Sequence, residues 1–353
     1  LLSKRLFVAN KHYDRTGTIR TLGVTVGAVG AWPAVPAAKG DELQPDAWLK
    51  LILLSGDEED VAAATWLRDE KEELHICGSL RLSAEGRAAL AEFSIWQEVL
   101  QDVNSKRLDP WTSRYVEGRL QHAHEAVGRL VTAELIPSPG REGPVYWHKG
   151  HPIPDSRLMN TNQLASWLFD KVYFQAPRII NELINKDKPT SAIVLARQRM
   201  FDVLLGSDST RQICGPGEFP PERLIHTSLL RQTGIWEEAD GRWRLVPPTE
   251  TAENDISAVW TKVSSLLCRD EPVSFADVLR DLAAPPLGLR AGPAGIWVAL
   301  YLMIHRSRCA VFERGTLLLE LSAEHLQRMF KNPQAFKLRE LMHAESSKRL
   351  LTD

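Results

Sequence analysis

The chain contains 353 residues, of which 44% are hydrophobic and 25% are charged, and its formal net charge is −2. This length and composition are typical of a globular protein with two or three domains, and the small net charge excludes a general polyanion binder, so any nucleic-acid surface must be a local patch. No apolar run reaches the roughly 18 residues that a membrane span requires, so we expect no membrane segment and no signal peptide.

The first third of the chain predicts strands that alternate with helices, an order typical of a small α/β layer. We therefore assign residues 1–110 to an α/β domain. The acidic run 57–59 follows an apolar strand and superficially resembles a Walker B strand, but no G-x-x-x-x-G-K-[ST] phosphate loop accompanies it. The simpler interpretation is that these carboxylates favour a helix N-terminus. The predicted strands cover residues 18–28, 48–54 and 74–80. One predicted helix ends near residue 72, and a second spans residues 83–103.

Residues 111–206 predict a helical connector. Pro137 and Pro177 end the helices before them, because proline lacks the amide proton that a helix interior needs. A short strand is expected over residues 144–148. The predicted helices cover residues 111–135, 161–173, 178–185 and 194–205.

Residues 269–345 carry the strongest structural signal, two helices joined by a turn and followed by a hairpin. Apolar residues recur at helical spacing over residues 275–282, with Ser274 at the N-cap position. A Pro-Pro pair ends this helix and a Gly-Pro pair opens the next. The strands 309–313 and 316–321 alternate around Arg314-Gly315, where glycine supplies the positive φ of a tight turn. This order predicts a winged-helix unit.

A second unit of this kind is expected over residues 207–268. A helix is predicted over residues 221–231, and two strand-like runs flank Asp240-Gly241, a strong hairpin signal. Trp236 and Trp243 lie beside this turn; they either stack on nucleic-acid bases or, as we prefer, pack the hairpin on its own helices. The predicted fold class is therefore α+β and mainly helical, with a small N-terminal α/β layer, a helical middle and tandem winged-helix-like units.

Five arginines on the two hairpins are the candidate nucleic-acid contacts. In a winged-helix protein, a basic wing contacts phosphates and gives an affinity that depends on salt and hardly on base sequence. The alternative is ordinary solvated charge, because glutamates dilute the patches. The second helix of the later unit is apolar enough to be buried, which makes a protein–protein module an equal alternative. The arginines are Arg242, Arg244, Arg306, Arg308 and Arg314, and the glutamates are Glu237, Glu238, Glu313 and Glu320.

Catalytic and metal signals are weak. His148 and His151 have a short spacing, but zinc needs three or four converging ligands, and no acidic or thiol partner lies near them in sequence. The four cysteines form no C-x-x-C pair, so we expect free thiols in a reducing cytoplasm. No catalytic motif is present, so we predict neither a metal nor a cofactor in this chain and leave its enzyme class open.

Three motifs stand out: YDRTGTIR at residues 13–20, YFQAPRIINELIN at 173–185, and PPLGLRAG at 285–292 followed by KNPQAF at 331–336. Together they resemble the region beyond the ATPase module of large bacterial phage-defence P-loop ATPases of the BREX-associated type. The resemblance implies a multi-domain protein in which ATP and magnesium bind elsewhere and winged helices contact double-stranded DNA or other defence-system subunits. It also implies that this chain, which lacks Walker motifs, is a C-terminal segment or a split subunit of a larger complex.

Four residues of the second motif are candidates for a domain junction. Side-chain bonds to the backbone beside Pro177 would brace such a junction, which is the interpretation we prefer. The alternatives are contact with a nucleotide or a nucleic-acid backbone and, for the arginine, an arginine finger toward a neighbouring ATPase. The four residues are Arg178, Asn181, Glu182 and Asn185.

Two functions follow from these patterns. The first is a non-catalytic, DNA-engaging winged-helix region of a bacterial anti-phage defence ATPase. The alternative is a protein–protein assembly module that docks the ATPase to a partner subunit. An independent enzyme is disfavoured because no group of residues supports one.

Overall fold

The computed structural model describes residues 6–30, 33–36, 44–54, 59–105, 109–135, 143–206, 221–239, 242–248 and 254–341. The chain forms two compact units. The first comprises Leu1–Tyr13 and Ile19–Val172, and the second comprises Asp14–Thr18 and Tyr173–Asp353. Helices and strands both contribute, and helices predominate, in agreement with the predicted mixed, mainly helical class.

The first unit is built on a six-stranded sheet with the order β1-β2-β3-β4-β5-β6. The central strands β2, β3 and β4 are parallel, and the outer pairs are antiparallel. Its elements are β1 (Leu6–Val8), the first part of α1 (Asn10–Thr16), β2 (Thr21–Ala28), β3 (Ala47–Leu54), α2 (Asp60–Asp69), β4 (His75–Arg81), α3 (Ala84–Ser105), α4 (Pro110–Glu134), β5 (Tyr146–His148), β6 (His151–Pro152) and α5 (Thr161–Val172). From Asp14 onward, α1 belongs to the second unit.

The sequence of β3 explains its central place in this sheet. Seven of its eight residues are buried, and only Lys50 is partly exposed. A parallel strand covered on both faces needs such a nearly continuous apolar run, whereas a strand with one wet face alternates. The predicted strands over 18–28, 48–54 and 74–80 are confirmed as β2, β3 and β4.

The long helices α3 and α4 pack along each other in the first unit. Arg119 of α4 makes an ion pair with Glu92 of α3 at 3.2 Å, and the rings of Phe93 and His124 lie 5.9 Å apart. Asp109 caps α4 by accepting hydrogen bonds from two amides of its first turn. Both helices were predicted from sequence, and both are confirmed.

The second unit has one large core that surrounds α10. Its elements are α6 (Ser191–Leu205), α7 (Pro221–His226), a π-helical segment (Thr227–Arg231), β7 (Trp236–Ala239), β8 (Arg242–Leu245), α8 (Ser257–Leu267), β9 (Val273–Ser274), α9 (Phe275–Ala283), α10 (Ala291–Ile304), β10 (Cys309–Glu313), β11 (Thr316–Leu318), α11 (Ala323–Lys331) and β12 (Phe336–Glu340).

Two antiparallel sheets belong to this unit. One has four strands in the order β11-β10-β12-β9, and the other consists of β7 and β8 alone. Strand β12 pairs with β10 from Cys309 opposite Glu340 to Glu313 opposite Phe336. The sequence prediction of a hairpin at β10 and β11 is confirmed, but β12 and β9 were not predicted, and β11 ends at Leu318 rather than at residue 321.

Helix α10 is apolar on all sides and correspondingly buried. Every residue from Gly292 to Met303 is buried. Trp297 is fully buried, and its indole N–H donates to the carbonyl of Leu229 at 3.1 Å. The predictions of a helix capped by Ser274, of a following apolar helix and of its burial are confirmed, and the Ser274 hydroxyl accepts from the amide of Ala276.

The predicted helix over residues 178–185 is wrong, since residues 178–181 have no regular secondary structure and residues 182–185 form a turn and a bend. The amide of Ile179 donates to the carbonyl of Thr16 at 2.8 Å, away from any helical partner. The side-chain oxygen of Asn181 accepts from the amide of Leu183 at 3.2 Å. Asparagine that bonds its own backbone in this way competes with helix formation, and here the local bonds prevail.

Candidate nucleic-acid interface

The five predicted arginines occupy different environments in the second unit. Arg242 lies in β8, and its side chain lies outside the described residues. Arg244, on the same strand, donates from Nε and Nη2 to one carboxylate oxygen of Glu237, at 3.2 and 3.0 Å. These residues are direct partners across β7 and β8. In the first hairpin, the positive charge of Arg244 is therefore already neutralised by Glu237 on the neighbouring strand.

The arginines at the second hairpin differ in whether they have an ion-pair partner. Nε of Arg308 lies 2.7 Å from Oε1 of the buried carboxylate Glu340. Arg306, in the loop after α10, and Arg314, at the turn, are both exposed, and neither has an ion-pair partner among the described residues. Arg314 and Gly315 both have positive φ, 50° and 86°, as a tight two-residue hairpin turn requires. Two of the predicted arginines are thus available to an anion.

The four-stranded sheet separates its charges between its two faces. Adjacent residues of a strand point to opposite faces, and directly paired residues share one. By the observed register, one face carries Lys337 and Arg339, and we call it the outer sheet face. The strands contain two acidic residues, Glu313 and Glu340, and the register places both on the opposite face. The outer sheet face is formed by Ser274, Ala310, Phe312, Leu317, Lys337 and Arg339.

The two inward carboxylates have partners of their own. Glu313 accepts from Nε and Nη2 of Arg328 on α11, both at 2.9 Å, and this contact lowers the pKa of Glu313. Glu340 accepts from the hydroxyl of Tyr301 at 2.5 Å and lies near Arg308. Both acids therefore anchor the sheet to its helices, and neither neutralises the outer sheet face.

Glu340 holds the unpredicted strand β12 against α10 and α8. Besides Tyr301, it lies 3.3 Å from the thiol of Cys268. Burial, together with the hydrogen bond to Glu340, raises the pKa of Tyr301, and burial raises the pKa of Cys309 to about 12. These groups stay protonated near neutral pH, so the tyrosine hydroxyl can donate to the carboxylate. They act as structural contacts beneath the cationic face.

Lys337 and Arg339 lie on the outer sheet face and are absent from the predicted set of five arginines. The sequence shows that both residues are basic, but it does not by itself predict the strand β12 that places them on one face. Phe336 and Leu338 are buried while Lys337 is exposed and Arg339 half-buried, which is the period-two alternation of a strand with one wet face. The available signal is this alternation over residues 336–339, which has only the minimum length that predicts a strand.

The predicted junction residues lie beside the segment Asp14–Thr18. The amide nitrogen of the Asn185 side chain donates to the carbonyl of Gly17 at 2.9 Å and to the hydroxyl of Thr18 at 3.0 Å. Asn181 donates to the hydroxyl of Ser228 at 3.0 Å. Arg178 and Glu182 are exposed. Asn185 thus holds the N-terminal segment within the second unit, as side-chain bonds to the backbone can do, whereas Asn181 bonds within the second unit to the π-helical segment.

A concave surface lies on the other side of the second hairpin, and we call it the hairpin groove. Its volume is about 480 Å³. Most of the residues that line it have apolar side chains, although polar atoms form the larger part of its accessible surface, and Arg244, Arg306 and Glu320 are its charged residues. Trp236 lines it and packs edge-on to His226, which supports the preferred interpretation of a hairpin packed on its own helices. The lining includes Leu204, Leu205, Trp236, Leu245, Ile304, Val311, Leu318, Leu319 and Leu321.

The two histidines of the first unit, His148 and His151, lie in different environments. Nε2 of the half-buried His148 lies 2.9 Å from the carbonyl of Glu73, and burial lowers the pKa of this imidazole. His151 is exposed. Within the described ranges, no three His, Cys, Asp or Glu side chains are grouped as metal ligands would be.

Comparisons with protein-family models, curated proteins and solved structures find no match for the chain. Among the described helices, none combines the length and hydropathy that crossing a membrane requires. Function is therefore inferred from the arrangement of side chains.

Proposed function

We propose that the second unit is a winged-helix-type module that binds double-stranded DNA through its outer sheet face and the adjoining hairpin turn. The helix–turn–helix–hairpin order of α9, α10, β10 and β11 supports the winged-helix assignment. The cations involved are Arg314, Lys337 and Arg339. This surface replaces the first hairpin as the preferred contact, because Arg244 is already paired with Glu237.

The separation of charges across the four-stranded sheet is the observation that carries this proposal. A face with lysine, arginine and no carboxylate attracts phosphates, whereas a face of alternating signs does not. Phe312 and Leu317 lie between the cations and supply partly exposed apolar surface. The net charge of −2 makes this local concentration of positive charge the basis of any affinity for DNA.

The burial of α10 limits how the module can engage DNA. A recognition helix reads bases by placing polar side chains in the major groove. The buried residues of α10 reach from Gly292 to Met303, so this helix offers no such side chains. The expected contacts are therefore with phosphates, and the expected affinity is salt-dependent and largely independent of base sequence.

The wider setting remains the one that the motif resemblance implies. We propose that the chain acts in the cytoplasm within an anti-phage defence assembly whose ATP and magnesium bind on another segment or subunit. The chain itself then contributes DNA contact rather than catalysis. The free thiols at Cys77, Cys268 and Cys309 are compatible with a reducing compartment.

Fluorescence anisotropy with a short labelled DNA duplex, measured across a salt series, tests this proposal. The triple variant Arg314→Ala/Lys337→Ala/Arg339→Ala is expected to bind at least tenfold more weakly at low salt. Its plot of log affinity against log salt should be shallower by about 2 to 3, since each lost phosphate contact removes about 0.9 from the slope.

Arg119→Ala provides a matched control, because Arg119 is an exposed, ion-paired arginine of α4 in the first unit. It should leave both affinity and slope unchanged. Unchanged binding by the triple variant, or equal loss in the control, would contradict the proposed interface. Circular dichroism of each variant establishes that its secondary structure is retained.

A protein–protein assembly module is the second candidate function, and the hairpin groove favours it. The groove combines many apolar side chains with polar atoms and the exposed Arg306. Apolar concave surfaces of this kind are typical of docking sites rather than of phosphate contacts. The two functions use different surfaces of the same unit, so one does not exclude the other.

A further inference from the structure

Strand β11 lies at one edge of the four-stranded sheet. Among the described strands, its only neighbour is β10. Leu317 is 47% exposed and Leu319, immediately beyond the strand, is 96% exposed. An exposed apolar edge strand is a template for pairing with another strand, and proteins usually protect such edges with charge, proline or a covering element.

The hairpin register determines which backbone groups this edge presents. A two-residue turn closes on a hydrogen-bonded pair, here Glu313 and Thr316, and such pairs alternate with non-bonded ones. The next pair, Phe312 and Leu317, is therefore a non-bonded one. The N–H and C=O of Leu317 consequently point away from β10, toward the open edge.

The hairpin groove lies beside this edge. Leu318, Leu319 and Leu321 line the groove, so the edge segment forms part of its wall. Arg306 and Glu320 also line it, and no ion pair joins them in the described part of the chain. One short segment thus offers a projecting leucine, an acid and open backbone groups, next to a groove that is lined by many apolar side chains and by Arg306, which is unpaired among the described residues.

We propose that a second copy of this chain occupies the hairpin groove. In this dimer, the β11 strands (Thr316–Leu318) of the two copies pair antiparallel about a two-fold axis. Leu319 of each copy enters the groove of the other, and Glu320 lies against Arg306 of the partner subunit. The four-stranded sheets of the two copies join into one continuous sheet.

The chemistry of this surface favours a second copy over a foreign strand. A two-fold interface uses the same patch on both subunits, so the patch must be complementary to itself. Here the inserting leucine and the receiving groove are contiguous, and the acid and the cation that would meet come from the same chain. A second copy supplies the inserting leucine and the opposite charge from residues that this surface already contains, whereas a foreign partner would have to supply both itself.

Sedimentation velocity over a concentration series tests the dimer. The unsubstituted chain is expected to form a reversible dimer, and Leu319→Glu should weaken it by roughly a hundredfold or more, since a buried leucine is lost from two grooves. Leu158→Glu is the matched control: Leu158 is 68% exposed and belongs to the first unit, so this variant should dimerise normally.

Charge reversal gives a sharper test of the same geometry. Arg306→Glu and Glu320→Arg should each weaken the dimer, and the double variant should restore it, because the pair is re-formed with its signs exchanged. A monomeric unsubstituted chain would overturn the proposal and leave the groove to a strand of another protein. A dimer that survives Leu319→Glu, or a double variant no better than the single ones, would overturn it equally.

Discussion

The two hairpins of the second unit carry similar sequence signals but have different structural surroundings. The hairpin of β7 and β8 remains a separate two-stranded sheet, while β10 and β11 are joined by β12 and β9. In the first hairpin, Arg244 is bound by the glutamate directly opposite it. In the second, the extra strand brings two cations to one face and directs both acids to the other.

This difference shows that a turn signal predicts a hairpin but not the sheet in which it lies. Whether a charged side chain of a hairpin is available to a ligand depends on its cross-strand neighbours. The strand that decides this for β10 is β12, which follows it by more than 20 residues in the chain. The following predictions test whether the two hairpins differ in stability and function as their surroundings indicate.

The largest expected difference is in core packing. Leu338 of β12 is fully buried, whereas Leu245 of β8 is only partly buried. Leu338→Ala should lower the free energy of unfolding by about 3 kcal/mol, because it removes apolar contact and leaves a cavity. Leu245→Ala should cost about 1 kcal/mol or less. Urea unfolding followed by tryptophan fluorescence measures both, and equal losses would remove the distinction between the hairpins.

Lowering the pH should destabilise the packing of the first hairpin against His226. His226 packs edge-on to Trp236, and burial, with a smaller contribution from Arg231, lowers its pKa from 6.5 to about 4. As pH falls, the unfolded chain therefore takes up the proton first. This stabilisation is fully present above pH 6.5 and is lost as pH falls toward 4.

Between about pH 7 and pH 5, the loss at His226 should be about 2 kcal/mol. Urea unfolding at both pH values, compared between the unsubstituted chain and His226→Phe, isolates the contribution of this imidazole. The phenylalanine variant should show a smaller pH dependence by that amount. An identical pH dependence in both proteins would mean that His226 is not buried as a neutral imidazole.

The sequence predicted local structure well where residues determine it locally. Ser274 marked the start of α9, and glycine after Arg314 marked the hairpin turn. The uninterrupted apolar run of α10 correctly predicted burial. In each case the physical cause lies within one turn or one helix, so a short window of sequence contains it.

The candidate interface was less predictable because its geometry depends on distant residues. Arg308 and Glu340 are 32 positions apart, and only their pairing reveals that this arginine is not free. The failed helix over residues 178–185 has a similar cause, since its backbone is bonded to Thr16. A local sequence pattern does not identify partners that are distant in the chain. It therefore identifies basic residues but not which of them are neutralised.

The turn of the second hairpin should depend moderately on its glycine. Gly315 has φ of 86°, and a Cβ added there would meet no atom within 4 Å. Gly315→Ala should therefore cost about 1 kcal/mol from backbone strain alone. Gly118→Ala is a suitable control, since Gly118 also has open space but lies inside α4, where alanine should stabilise by about 0.5 to 1 kcal/mol. Urea unfolding should give opposite signs, and two losses of equal size would contradict the assigned cause.

The smallest effect should come from Arg244, and its smallness is informative. The ion pair with Glu237 is exposed, so Arg244→Ala should change stability by no more than about 0.5 kcal/mol. It should also leave the salt dependence of DNA binding unchanged, because the guanidinium is already engaged. Lys337→Ala should be equally mild for stability but should reduce the salt slope by about 1. A reduction of similar size in Arg244→Ala would show that an ion-paired arginine still reaches phosphate, and would make the first hairpin part of the interface.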